Sequence, residues 1–149
     1  METLAPALPH LVLSPALVAE LAAHARAASP DECCGFLLGR AGSFEVDAAV
    51  RAVNRAGLVS LAGRARFAIA PEDVFDAHRA AAGRGLAILG FYHSHPSGDG
   101  SPSAHDRVLA WPGAFYVIVA AGRARAFVAD RRGGELRELA LVPAPGAGA

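Results

Sequence analysis

The sequence predicts a mixed α/β domain, a curved and mainly antiparallel sheet flanked by helices. Three observations carry this. Short apolar runs of strand length recur along the 149 residues, bounded by Gly- and Pro-containing turns. Between them lie three stretches that open on proline and suit helices. The strands come in runs instead of alternating regularly with helices, which points to a mixed sheet and not a doubly wound one.

Composition agrees. A hydrophobic fraction of 53% against 19% charged residues supports a packed core, since disorder needs low hydrophobicity and excess charge. The length suits one domain, expected over residues 1–142, with a Pro/Gly/Ala-rich tail at 143–149 expected to be disordered.

In chain order, residues 1–10 carry Pro6 and Pro9 and read as an extended arm leading into a strand at 11–13. Ser14-Pro15 supplies an N-cap and a first-turn proline, and Leu17, Val18, Leu21 and Ala25 recur at helical spacing, so a helix is expected over 15–28. His24 on it reads as a residue bordering the core or solvent. Ser29-Pro30-Asp31 ends the helix. Residues 32–40 then form a buried strand, hairpinned through Ala41-Gly42 to a strand at 44–53. Glu32, where that strand begins, reads by itself as a solvated loop acid, because acids are mostly exposed.

Residues 54–66 carry two glycines, three arginines and no clean period. They read either as a substrate-contacting flap or as an ordinary variable loop. A short strand is expected at 67–70. Pro71-Glu72-Asp73 opens a second helix, with Val74, Phe75 and His78 along one side and Gly83-Arg84-Gly85 at its end. The apolar run 86–92 is a strand. Ser101-Pro102 repeats the cap-and-proline pattern and predicts a helix of about 102–110, stopped by Trp111-Pro112-Gly113. Strands at 114–120, 123–130 and 135–142 follow, joined by turns at Ala121-Gly122 and Arg132-Gly133-Gly134.

Several function classes are disfavoured. Formal net charge is zero and the 14 basic residues, all arginine, are scattered, so nucleic acid has no electrostatic footprint to bind. Cys33 and Cys34 are adjacent, which rules out a staple between distant segments and lacks C-x-x-C spacing; they read as two small buried hydrophobes in a reducing cytoplasm. The N-terminal apolar stretch has no basic leader and is broken by Ser14-Pro15 and Glu20. Neither a signal peptide nor a membrane span is expected.

The chemistry concentrates after the 86–92 strand. His93 and His95, separated by one residue, face the same way if the strand continues through them, which supplies half of a metal site. Beyond a Gly/Ser/Pro loop, Ser103 and Asp106 follow at a spacing of three, on one face of the expected helix. A catalytic zinc takes three His or carboxylate ligands and leaves one position for water. His93, His95 and Asp106 meet that count. Asp99 and His105 compete as third ligand; Asp106 is preferred because it shares its face with Ser103, whereas adjacent helical residues point about 100° apart. Such a water needs a general base, and Glu32 serves if its strand lies beside the histidines. Ser103 is placed to steady a carbonyl oxygen as it becomes negative.

Taken together, Glu32, His93-Ser94-His95, seven residues, Ser103, two residues and Asp106 resemble the JAMM (JAB1/MPN/Mov34) metalloprotease motif at every position. Glu32 to Gly39 is similar to the E-x-C-G-x-L-x-G strand of the family's stand-alone prokaryotic members, and the segment from Phe67 to Pro71 with its following helix also resembles theirs. The resemblance implies a JAB1/MPN-like, cytidine-deaminase-like architecture. It implies one zinc per chain on His93, His95 and Asp106, with Glu32 as general acid/base and Ser103 assisting at the oxyanion. The implied activity is hydrolysis after the C-terminal Gly-Gly of a ubiquitin-like or sulfur-carrier protein. Family members without these ligands are inactive scaffolds, so the alternative is a non-catalytic module that binds ubiquitin-like proteins. A zinc deaminase would need His-x-Glu with Pro-Cys-x-x-Cys, and this chain has neither.

Overall fold

The computed structural model describes residues 10–56, 67–108, 110–130 and 135–143. In order, these form β1 (His10–Val12), α1 (Pro15–Ala28), β2 (Cys34–Gly39), β3 (Ala48–Ala52), α2 (Pro71–Gly83), β4 (Ala87–Ser94), α3 (Ala104–Val108), β5 (Phe115–Ala120), β6 (Arg123–Ala129) and β7 (Leu136–Val142). The expected N-terminal arm, most of the 54–66 loop, the turn around Gly133 and nearly all of the tail lie outside the described residues.

The strands make one seven-stranded sheet in the order β1-β7-β6-β5-β4-β2-β3. Pairing is antiparallel except for β1 with β7 and β4 with β5. The sheet curls until its two ends meet. The Val12 N–H donates to the Phe44 carbonyl at 2.7 Å and the Val46 N–H donates to the Val12 carbonyl at 2.9 Å, so β1 touches the segment that leads into β3. Both β2 and β5 are buried along their whole length, as befits inner strands covered on both faces.

Helix α1 begins as its sequence dictates. Ser14 Oγ accepts the Leu17 N–H at 3.2 Å, satisfying one of the donors a helix start leaves open, and Pro15 occupies the first turn. Its apolar face, with Leu21 fully buried, packs on Leu11, Leu37, Val117 and Val119 from one side of the sheet. Helix α2 covers the other side through Ala77 and Ala81 against Phe36, Leu38 and Phe91. Among the described residues no helix is long and apolar enough to cross a membrane.

Three element boundaries differ from expectation. The 44–53 strand is shortened to β3, because 44–46 bonds instead to β1. Residues 67–70 are not a strand. Of their backbone groups, the Ala68 carbonyl accepts the Arg55 N–H and the Ala68 N–H donates to the Asn54 side chain, while Ala70 serves as N-cap of α2. The third helix starts at Ala104, not near 102, for a reason that belongs to the site.

Candidate metal centre

Strand alternation sends Phe91 and His93 to the α2 side of the sheet and Tyr92 and Ser94 to the α1 side. Tyr92 is almost fully buried there, and its hydroxyl lies 2.7 Å from His24 Nδ1. Gly35 is paired directly with Tyr92; a Cβ at this position would collide with the Tyr92 ring and the Val50 carbonyl. Burial and, to a smaller extent, the nearby Arg51 charge hold His24 below the usual histidine range.

The antiparallel register that sets Cys34 opposite His93 brings Glu32 to the level of His95. Two bonds extend the pairing past the end of the strands: the Ser94 N–H donates to the Cys33 carbonyl at 3.1 Å, and the Cys33 N–H donates to Ser94 Oγ at 2.8 Å. Beyond the strand, the His95 N–H donates to the Val119 carbonyl at 2.9 Å. Glu32 Oε1 then stands 3.9 Å from His95 Nε2.

The loop after His95 brings the chain back. Asp99 Oδ1 accepts the Ser101 N–H at 2.9 Å, closing a turn, and the Asp99 carbonyl lies 3.3 Å from His95 Nδ1. Arg125 on β6, clasped by Glu138 at 2.7 and 3.0 Å, donates to Ser101 Oγ at 3.1 Å and so fastens the loop to the sheet. Ser103 is the actual N-cap of α3. Its Oγ accepts the Asp106 N–H at 3.1 Å while Asp106 Oδ2 accepts the Ser103 N–H at 2.8 Å, a reciprocal capping box. This pair displaces the expected Ser101-Pro102 start. The spacing of three therefore acts through the cap, and it fixes the Asp106 carboxylate.

The result is a tight, buried cluster. His93 Nε2 is 3.1 Å from Asp106 Oδ1, His95 Nε2 is 3.2 Å from Asp106 Oδ2, and the two Nε2 atoms are 3.2 Å apart. Glu32, His93 and His95 also offer ligand atoms within 4.8 Å of one another. The four side chains are only 1–7% exposed. Ionisable groups are seldom buried this deeply without a partner or a metal. Donors around a four-coordinate ion with ligand bonds of about 2.0–2.1 Å lie roughly 3.3 Å apart, so the spacing of His93, His95 and Asp106 fits a cation of zinc's size. Of the competing third ligands, the Asp99 carboxylate is taken up in its turn, and the His105 ring lies edge-on against Phe67 at 6.0 Å with its Nε2 buried and without a hydrogen-bond partner among the described residues.

The electrostatics follow from this packing. Burial pushes Asp106 up, yet bonds with His93 and His95 and the Ser103 N–H outweigh it and hold the carboxyl well below its usual range. Burial lowers His93 despite its contact with Asp106. The bond with Asp106 raises His95, against its own burial. A carboxylate whose ionised form is favoured in this way, facing two imidazoles, is a donor set suited to a cation.

Two contributors lie outside the expected ligand and base positions. Asn54 Nδ2 donates to the Glu32 carbonyl at 2.9 Å, while Asn54 Oδ1 accepts the Ala56 and Ala68 N–H groups at 3.0 and 3.1 Å, so one amide holds the backbone of Glu32 and of the 67–70 segment. Its position two residues past Ala52, the partner of Cys34, is the only sequence signal for it. Phe67 lies flat on the His93 ring, with centroids 4.4 Å apart and planes 19° apart. It also borders an apolar groove of about 370 Å³ formed with Ile69, Val74, Phe91, Trp111 and Tyr116.

Known proteins are similar to this chain in sequence and architecture. The model of the family described as prokaryotic homologs of the JAB domain matches residues 14–131. Desampylase from Haloferax volcanii is 37% identical over 115 residues, which cover 76% of this chain and 78% of that protein. A protein from Salinibacter ruber of known solution structure has a TM-score of 0.69 at 32% identity, covering 91% of this chain and 92% of that chain. A JAB1/MPN domain protein from Archaeoglobus fulgidus shares the fold with a TM-score of 0.56 at 22% identity, covering 90% and 98%.

Proposed function

This chain belongs to the family of prokaryotic JAB-domain homologs, and we propose that it is a zinc metalloprotease of JAMM type, an isopeptidase acting on a ubiquitin-like or sulfur-carrier protein at its C-terminal Gly-Gly. The observation that carries the proposal is the convergence of His93, His95 and Asp106 to within 3.2 Å, with the Glu32 carboxylate 3.9 Å from His95. The Haloferax relative is named a desampylase, and this name supports a modifier protein as substrate. The groove beside the site and Trp111 on its rim, 62% exposed, suit a protein partner.

His93, His95 and Asp106 would hold the zinc, one per chain. When bound, the ion would lower the pKa of a water to about 7 and polarise the carbonyl to be attacked. Glu32 would take the proton from the attacking water and pass it to the leaving amine, as a buried carboxylate facing the Nε2 side of His95 can do. Asn54 and the Cys33–Ser94 bonds keep it there. The Ser103 hydroxyl accepts from the Asp106 N–H, so its own proton is left to donate to the carbonyl oxygen as negative charge grows. Cys33 and Cys34, buried free thiols, suit a reducing cytoplasm.

The test is cleavage of a fusion joining a ubiquitin-like protein, through its terminal Gly-Gly, to a reporter amine. Zinc-loaded wild type should release the reporter, and Glu32→Gln should lower kcat by on the order of 10²–10⁴. A zinc-loaded wild type that binds the fusion tightly and never cuts it would replace this reading with that of a non-catalytic binding module.

A further inference from the structure

The two histidines of the cluster are braced differently from behind. His95 has its second ring nitrogen against the Asp99 carbonyl at 3.3 Å, the arrangement that ordinarily fixes the tautomer and orientation of a metal-ligating imidazole. His93 has no such brace. Its Nδ1 is buried and without a hydrogen-bond partner among the described residues. A histidine ring turns about a broad, soft torsion, so an imidazole held through Nε2 alone, by Asp106 at 3.1 Å, is free to tilt its plane.

What lies against that ring is Phe67, stacked at 4.4 Å with the planes 19° apart. Phe67 is itself held. The next residue, Ala68, is pinned through both backbone groups, its N–H to Asn54 Oδ1 at 3.1 Å and its carbonyl to the Arg55 N–H at 2.8 Å. His105 packs edge-on against the same phenyl ring at 6.0 Å and 88°. The aromatic face is thus fixed before any ligand arrives.

We propose that Phe67 is a positioning residue for the metal site, fixing the plane of the His93 imidazole by stacking as the Asp99 carbonyl fixes His95 by hydrogen bonding. The role rests on the reading of His93 as a metal ligand. The bonds that take up the Ala68 backbone groups outside the sheet are also the ones that hold Phe67 over His93. The Asn54 amide then serves both halves of the centre, since it carries the Glu32 carbonyl and the Ala68 N–H together.

The experiment measures Zn²⁺ affinity by competition with a chromogenic chelator for wild type, Phe67→Leu and Phe67→Tyr. Thermal unfolding of each metal-free protein, and the NMR shifts of the His93 ring protons, are recorded alongside. Loss of a hydrogen-bonded outer support typically weakens metal binding 10–100-fold, and the stacked support is expected to reach the lower end of that range. Phe67→Leu, which keeps an apolar side chain on the groove, should therefore fold normally but bind zinc at least about tenfold more weakly, and the upfield ring-current shift of His93 should vanish. Phe67→Tyr should restore both. A Phe67→Leu protein that binds zinc as tightly as wild type, or a Phe67→Tyr protein as weak as Phe67→Leu, overturns the role while leaving the metal reading intact. A wild type that binds no zinc overturns both.

Discussion

Replacing Ser94 by alanine removes one oxygen on the face of β4 opposite the histidines, yet its effect should reach the base. Ser94 is 2% exposed, and its Oγ accepts the N–H of the equally buried Cys33 at 2.8 Å. In Ser94→Ala that buried N–H loses its acceptor, at a cost of about 1–3 kcal/mol. For a chain of this size the melting temperature should fall by roughly 3–10 °C. The chemistry should suffer separately. Cys33 joins Glu32 to β2, and a misplacement of about 1 Å in a reacting group can cost on the order of 100-fold. A fall in kcat of at least about tenfold is expected on that basis, with KM little changed. Zinc content should stay at one per chain, because His93, His95 and Asp106 are untouched. Thermal melts, steady-state cleavage of the Gly-Gly fusion and metal analysis on the same preparation decide it. A protein that melts lower but keeps its kcat would refute the claim that Glu32 is placed through Cys33 and Ser94.

Three further outcomes follow from the packing. Gly35→Ala forces a methyl group into the Tyr92 ring and the Val50 carbonyl, so denaturant titration should show a loss of about 1–3 kcal/mol or more. His24 has its folded pKa below the unfolded value of 6.5, so the unfolded chain binds the extra proton more readily. The stability it contributes is complete above pH 6.5 and is lost as pH falls through the lowered value. Wild type should lose more stability than His24→Asn between pH 7.5 and 5.5, and equal losses would contradict the assignment. Burial raises the thiols of Cys33 and Cys34, the latter to about 12 with help from the neighbouring Cys33 and Glu32 charges. Neither should react with a thiol reagent at pH 8 until denaturant is added; rapid labelling of the native protein would show that β2 opens.

What the sequence disclosed depended on the range of the interaction. Helix α1 was legible because Ser14, Pro15 and the apolar period all act within a few residues, and the structure shows the same cap. Helix α3 was misplaced at its start because Ser101-Pro102 imitates a cap, whereas the Ser103 and Asp106 side chains bond each other's backbone and win. Glu32 read as a solvated acid in its own stretch. Its burial comes from pairing with a strand some sixty residues away, and only the joint spacing of acid, histidines, serine and aspartate pointed to it. Asn54 went unmarked, and Phe67 was marked only as part of a family-like segment, for opposite reasons. An asparagine after a strand looks like turn chemistry, and a phenylalanine in an apolar run looks like core; each acts through a long-range contact that local pattern does not encode.

In the proposed function His93, His95 and Asp106 hold a metal that Glu32 serves without binding. Zinc content per chain, measured side by side in wild type, Glu32→Gln and His95→Ala, tests this division most directly. One zinc in wild type and in Glu32→Gln, with His95→Ala empty, is the predicted result. Zinc lost from Glu32→Gln, or held at undiminished affinity by His95→Ala, would contradict it.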